Sequence, residues 1–160
     1  MDVCDFLTSN GIPFERFDHP AVFTCEESAL LAPMPGADTK NLFLTEDRGD
    51  RSFLVTVGHN KRVDLKGLCG LLGIKRLSFG SPEELRASLG VDPGSVTLLG
   101  LACDTEHRVD VVIDRPIWDA PSVQCHPLVN TATLIIPHTG LETFLARTGH
   151  TPRIIDVPER

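Results

Sequence analysis

The chain of 160 residues is the length of one domain, and at that size about 68–70% of the unfolded surface can be buried, enough for a self-sufficient core. A hydrophobic content of 41% and a charged content of 23% are those of a soluble globular protein, and no apolar run reaches the length of a membrane span. The formal net charge of −7 argues against wrapping a long nucleic-acid duplex, which requires many neutralised phosphates, but leaves room for a smaller contact.

The opening MDVCDFLTSNG carries acids where a secretory signal carries basic residues and has no long apolar stretch, so a cytoplasmic location without membrane attachment is expected. Val3, Phe6 and Leu7 share a helical face that ends at Asn10-Gly11. FERFDH reads as a strand broken by His19-Pro20, and Thr24-Cys25-Glu26-Glu27 is a capping box for a helix running to Ala32, before Pro33 and Pro35. DTKNLFLTE, residues 38–46, holds the apolar run Leu42-Phe43-Leu44 of a buried strand. Ser52–Val57 is its hairpin partner across a polar, glycine-containing loop.

Asp64 then starts a helix with Leu65, Leu68, Cys69 and Leu72 that stops at Gly73, and Ser81-Pro82-Glu83-Glu84 caps another that ends at Gly90. Short β-branched segments follow at Val96–Leu101, Val109–Ile113, Ser122–Gln124 and Thr131–Ile136. Thr139 is read as the cap of a last helix bearing Leu141, Phe144 and Leu145, with a final strand at Arg153–Val157. Strands outnumber helices without regular alternation, so one mixed α/β domain over residues 1–160 is expected, built on a strongly curved sheet.

Cys4, Cys25, Cys69, Cys103 and Cys125 are odd in number and contain no C-x-x-C pair, so reduced, mainly core-filling thiols are expected in place of disulfides or a zinc ribbon. Cys103-x-x-x-His107 lacks a second spaced pair, and no metal site is expected. Between Val57 and Gly80, Lys61, Arg62, Lys66, Lys75 and Arg76 face only Asp64; this is either a solvated face or a rim that steers phosphates.

Three places could carry chemistry. Lys40 stands at the entrance of the apolar strand, where it either runs its methylenes along the strand to water or holds its ammonium at a pocket mouth against a phosphate or carbonyl oxygen. Pro93-Gly94-Ser95-Val96 is either a plain turn or one whose backbone N–H groups approach an oxyanion. His126 and Asn130 flank Pro127 on a loop before a strand, where they either pin the loop or line a pocket. Cys125 beside His126 is a poor nucleophile and base pair, because neighbours on a strand point to opposite faces.

In order, His19-Pro20-Ala21-Val22-Phe23-Thr24, Thr39-Lys40-Asn41-Leu42-Phe43-Leu44, Pro93-Gly94-Ser95-Val96-Thr97 and Cys125-His126-Pro127-Leu128-Val129-Asn130-Thr131 resemble the YbaK/ProX superfamily of aminoacyl-tRNA editing domains. Within it they resemble the free-standing prolyl-tRNA editing proteins. The resemblance covers essentially the whole chain. It implies a barrel-like mixed sheet flanked by helices, and a hydrolase that removes alanine from proline tRNA without cofactor or metal. Cysteinyl-tRNA(Pro) or another small mischarged amino acid as substrate, or a non-catalytic module that binds the tRNA acceptor end, are the alternatives. The implied partners are the mischarged tRNA(Pro) acceptor end and, as a further candidate, prolyl-tRNA synthetase.

The same resemblance places Lys40 at the family's key lysine, His126 and Asn130 at its pocket histidine and asparagine, and Gly94, Ser95 and Val96 in its glycine loop, where Leu98 replaces the family's closing proline. Phe23, Leu30, Phe43 and Leu44 are then candidate walls of a pocket too small for proline.

Overall fold

The computed structural model describes residues 2–21, 34–48 and 50–160. The helix expected after Thr24, with Phe23 and Leu30, lies outside the described residues.

Helix α1, Val3–Ser9, is capped by the Asp2 carboxylate, which accepts the N–H groups of Cys4 and Asp5, and it buries Val3 and Leu7. Strand β1, Glu15–Asp18, follows. The expected hairpin forms from β2, Thr39–Glu46, and β3, Ser52–Gly58, which pair antiparallel with Lys40 opposite Val57 and Phe43 opposite Leu54. Helix α2, Leu65–Leu72, starts where Asp64 accepts the Gly67 N–H and stops at Gly73, whose φ of 71° is the left-handed conformation that glycine adopts without strain. After β4, Leu77–Phe79, the capping box of Ser81 and Glu84 forms as expected and opens α3, Pro82–Leu89.

Val96–Leu101 is not a strand. Residues Leu98–Cys103 form a 3₁₀ helix whose first turn is capped by Thr97 Oγ1 accepting the Leu99 N–H. Leu98, Leu99, Gly100, Leu101 and Ala102 are all buried, so the run shows no alternation by which a strand could be told from a buried helical turn.

The remaining elements are β5, Val109–Asp114, a short α4, Arg115–Trp118, β6, Ser122–Cys125, β7, Ala132–Pro137, α5, His138–Thr148, and β8, Arg153–Ile155. Helix α5 begins one residue earlier than Thr139, at His138 after Pro137. Thr139 is inside it and caps nothing; its carbonyl accepts the Thr143 hydroxyl.

The strands fall into two sheets: an antiparallel one ordered β1-β7-β6, and a mixed one ordered β4-β2-β3-β5-β8 in which β3–β5 and β5–β8 are parallel. The larger core includes Phe43, Leu54, Val111 and Ile113 from the mixed sheet together with Leu134, Ile136 and Phe144. The smaller core covers the opposite face of the mixed sheet, where Leu44, Val55, Val57 and Val112 meet Leu68 and Leu72 of α2. The pleat of β2 therefore divides it: Phe43 points into one core, Leu44 into the other.

Two buried polar pairs tie the ends of elements together. Asp104, at the end of the 3₁₀ helix, accepts the N–H groups of Arg108 and Val109 and binds His150 Nε2 at 2.9 Å, joining this corner to the end of α5. Asp114, at the end of β5, accepts the Val157 N–H and pairs with Lys61 Nζ at 2.8 Å. Among the described residues no helix is long and apolar enough to cross a membrane, and no group of His, Cys, Asp and Glu is placed to hold a metal.

Candidate active site at the seam between the sheets

Backbone bonds sew the start of β2 to β6. Ala37 donates to the Ser122 carbonyl at 2.9 Å and accepts from the Gln124 N–H at 3.0 Å, and the Thr39 hydroxyl donates to the Gln124 carbonyl at 2.7 Å. Two residues beyond Gln124 stands His126, where β6 has ended and the loop to β7 begins. The Thr97 hydroxyl donates to the His126 carbonyl at 2.7 Å. Buried Thr97 thus holds the Gly94–Val96 turn against the histidine loop, and half-buried Thr39 holds β2 against the strand that leads into it.

The His126 ring has a defined tautomer. Its Nδ1 lies 3.1 Å from the Ala132 carbonyl, which can only accept, so Nδ1 carries the proton and Nε2 keeps a lone pair with no partner among the described residues. Burial pushes the imidazole below its ordinary pKa of 6.5, and nearby His19 adds to the effect, while the Ala132 carbonyl and the Asp38 carboxylate act against it. The result is a neutral imidazole whose basic nitrogen is unengaged among the described residues. Cys125, by contrast, is fully buried and its thiol is pushed up to about 12, so it is no nucleophile.

In the glycine turn, the Ser95 N–H donates to the Asp92 carbonyl at 2.9 Å, so it is not available to an oxyanion. The N–H groups of Gly94 and Val96 have no acceptor among the described residues. Asn130 lies on the same loop as His126, half-buried, beyond Leu128, whose φ of 67° is the left-handed conformation that costs a branched side chain energy. The His126–Asn130 loop is therefore held in a shape that the chain would not choose by itself.

Lys40 occupies the expected end of β2, half-buried, and its ammonium has no hydrogen bond or ion pair among the described residues. Its register opposite Val57 sets it on the α2 side of the sheet, while Thr39 and Asn41 face the seam. Beside this end of β2, a cleft of about 430 Å³ opens at the carboxyl ends of β3 and β5, lined in part by Asp38, His59, Lys61 and Asp114. Phe43 is 4% exposed, inside the larger core and packed against Gly80, and Leu44 is buried in the smaller one; they back the strand and present no surface to a ligand.

Two residues of the seam escaped the sequence reading. His19 follows β1, its ring centroid 6.4 Å from that of His126; its Nδ1–H donates to the Pro20 carbonyl at 2.9 Å, so in the neutral ring Nε2 accepts the Thr133 hydroxyl at 2.8 Å. Asn41 accepts the hydroxyl of buried Thr56 through Oδ1 at 2.7 Å, which fixes its amide toward the seam. A histidine before proline and an asparagine beside Lys40 were both visible as letters, but only the fold shows that they converge.

The sequence model of the aminoacyl-tRNA editing domain matches residues 19–144, from His19 to Phe144. The chain belongs to that family. Prolyl-tRNA synthetase associated domain-containing protein 1 of Danio rerio is 38% identical over 154 residues, covering 94% of this chain and 83% of its own. Prolyl-tRNA editing protein ProX of Acetoanaerobium sticklandii is 30% identical over 148 residues, covering 91% and 90%. Among solved structures, a chain described as a candidate trans-editing enzyme for prolyl tRNA synthetase superposes with a TM-score of 0.72 at 23% identity, covering 99% of this chain and 95% of its own. The likeness in structure shows the mixed α/β editing-domain fold; the match in sequence bears out the superfamily resemblance, and the editing-domain match contains Lys40, Gly94–Val96, His126 and Asn130.

Proposed function

We propose that this chain is a trans-editing hydrolase that cleaves the ester joining a wrongly attached alanine to the 3′ end of proline tRNA and excludes proline by pocket size. Membership of the editing-domain family and the name of the ProX relative support the reaction class. The observation that carries the reading is the seam itself. A neutral imidazole whose Nε2 has no partner among the described residues stands where a turn with two N–H groups likewise without an acceptor among them is bonded to its loop, beside a lysine-bearing strand.

In this proposal His126 Nε2 takes a proton from the attacking water, directly or relayed through the vicinal ribose hydroxyl. The ester carbonyl becomes a tetrahedral oxyanion stabilised by the Gly94 and Val96 N–H groups, while the Lys40 ammonium, on the α2 side of the same strand, holds a phosphate of the 3′ end in place. Collapse breaks the acyl–oxygen bond, the ribose oxygen recovers the proton, and free amino acid and tRNA leave. His19 and Asn130 orient the histidine loop. A first site built for proline gains only about 1–3 kcal/mol over a substrate one methylene smaller, so a second, smaller pocket is the physical means of discrimination. Association with prolyl-tRNA synthetase belongs to the same proposal and draws on the names of the animal relatives.

The deciding experiment is a deacylation panel on one tRNA(Pro) charged in turn with alanine, serine, cysteine and proline. Release of alanine with proline untouched is the expected result. Preference for cysteine would move the substrate, and saturable tRNA binding without release of any amino acid would leave a binding module.

A further inference from the structure

Among the described residues, seven of the fifteen lysines and arginines are paired with carboxylates. Of the eight others, half share one side of the molecule. Lys40, Arg62, Lys66 and Lys75 have no carboxylate partner among the described residues, and all four lie on the α2 side of the mixed sheet. Lys40 is placed there by its register with Val57; Arg62 and Lys75 lie shortly before and after α2, and Lys66 is on its exposed face. The Arg160 N–H donates to the Arg62 carbonyl at 2.8 Å and brings a further cation to the same edge.

Two of the acids near this surface are engaged: Asp64 caps α2 through the Gly67 N–H and Asp47 pairs with neighbouring Arg76, while Glu159 stands at the edge, where its backbone bridges Val63. Leu71, at 57% exposure, and Phe79, at 64%, stand on the same side. An eight-residue helix is about 12 Å long, so cations shortly beyond each of its ends and one on its face track a line long enough for several phosphates of a nucleic-acid strand. Two separate apolar side chains make no patch of the size that marks a protein interface.

We infer that the exposed face of α2, from Arg62 through Lys66 to Lys75, is the surface on which the phosphate backbone of the tRNA acceptor stem docks, with the single-stranded 3′ end passing Lys40 to the seam. The inference rests on the tRNA reading above and adds the surface and its partner chemistry. In a chain of net charge −7, this face supplies the attraction that the whole molecule lacks.

The test compares Arg62→Gln/Lys66→Gln/Lys75→Gln with a control that removes the same number of charges elsewhere, Arg86→Gln/Arg108→Gln/Arg147→Gln. Binding of uncharged tRNA(Pro) is measured across a salt series, alongside hydrolysis of an alanyl-CCA trinucleotide that has no stem. The α2 variant is expected to bind tRNA at least about tenfold more weakly at 0.1 M salt, and to flatten the slope of log K against log salt by about 2–3. The control is expected to change binding less than about twofold, and trinucleotide hydrolysis to be unchanged in both. A wild-type salt slope in the α2 variant, equal losses in the two variants, or a parallel loss on the trinucleotide would each overturn the inference. If no ester is hydrolysed but the α2 variant alone loses tRNA, the hydrolase reading falls and the surface stands; the reverse pattern removes only the surface.

Discussion

The imidazoles of His19 and His126 stand edge to face, 6.4 Å between centroids and 69° between planes, one just past β1 and the other just past β6. Each Nδ1 is held by a backbone carbonyl, so each ring is fixed in one orientation, and His19 opposes the charging of His126. His19→Gln removes that opposition. With His126 as the base, activity falls as pH drops through its pKa, which burial and His19 hold below the ordinary 6.5. The acid limb of the pH–rate profile is therefore expected to move upward in the variant, as is the His126 pKa followed by NMR. An unmoved resonance would show that the rings do not sense each other.

His126→Gln keeps a polar side chain of similar reach but no basic nitrogen. A loss of about 10²–10⁴ in kcat is expected in single-turnover deacylation, with tRNA affinity retained.

Among the described residues Lys40 has no ionic partner, and removing it strands no charge there. Lys40→Ala is expected to lower deacylation of alanyl-tRNA(Pro) by about 10²–10³ while leaving the thermal midpoint close to wild type. Full activity in this variant would remove lysine from the mechanism.

Thr97 is fully buried and does two jobs with one hydroxyl, donating to the His126 carbonyl and accepting the Leu99 N–H. Thr97→Val preserves its shape and loses both bonds. About 1–2 kcal/mol of stability is expected to go, read by urea denaturation, together with a fall in kcat as the glycine turn loses its tie to the histidine loop.

Asp104 reports on acid stability. Burial alone would raise its pKa, but the bonds from His150 and from the Val109 and Arg108 N–H groups outweigh it and hold the carboxyl below its ordinary 3.8. The unfolded chain therefore binds the proton more readily than the folded one. The stabilisation is present above about pH 3.8 and is lost as pH falls through the lower folded value. Asp104→Ala, which leaves His150 buried without its partner, is expected to cost about 3–5 kcal/mol in chemical denaturation at neutral pH.

The hairpin, α2 and α3 were legible because their signals are local. Asp64 and Ser81 are caps, Gly73 and Gly90 are stops, and the apolar spacing between them has one period. The 3₁₀ helix was not, because Leu98–Ala102 is buried on all sides and carries no period at all. The site was half legible. His126 and the glycine turn stood out as loop motifs, but nothing in sequence reports that Thr97 joins them, that the Ser95 N–H is already engaged, or that Phe43 turns away from Lys40 into the core. Those facts follow from register and from contacts between distant segments, which residue spacing does not encode.

Among the described residues strand β1 pairs only with β7, Glu15 opposite Ile135 and Asp18 opposite Ala132, so an early strand of the chain waits for nearly the last. During synthesis, the segment ending at His19 emerges long before its hydrogen-bonding partner, and the two imidazoles meet only once the loop through His126 has left the ribosome. Pairing across that separation is a slow step of folding and leaves an unpaired edge in the meantime. The seam is consequently an all-or-none product of the finished chain, and a fragment truncated before β7 keeps the β2–β3 hairpin but loses the two-histidine site.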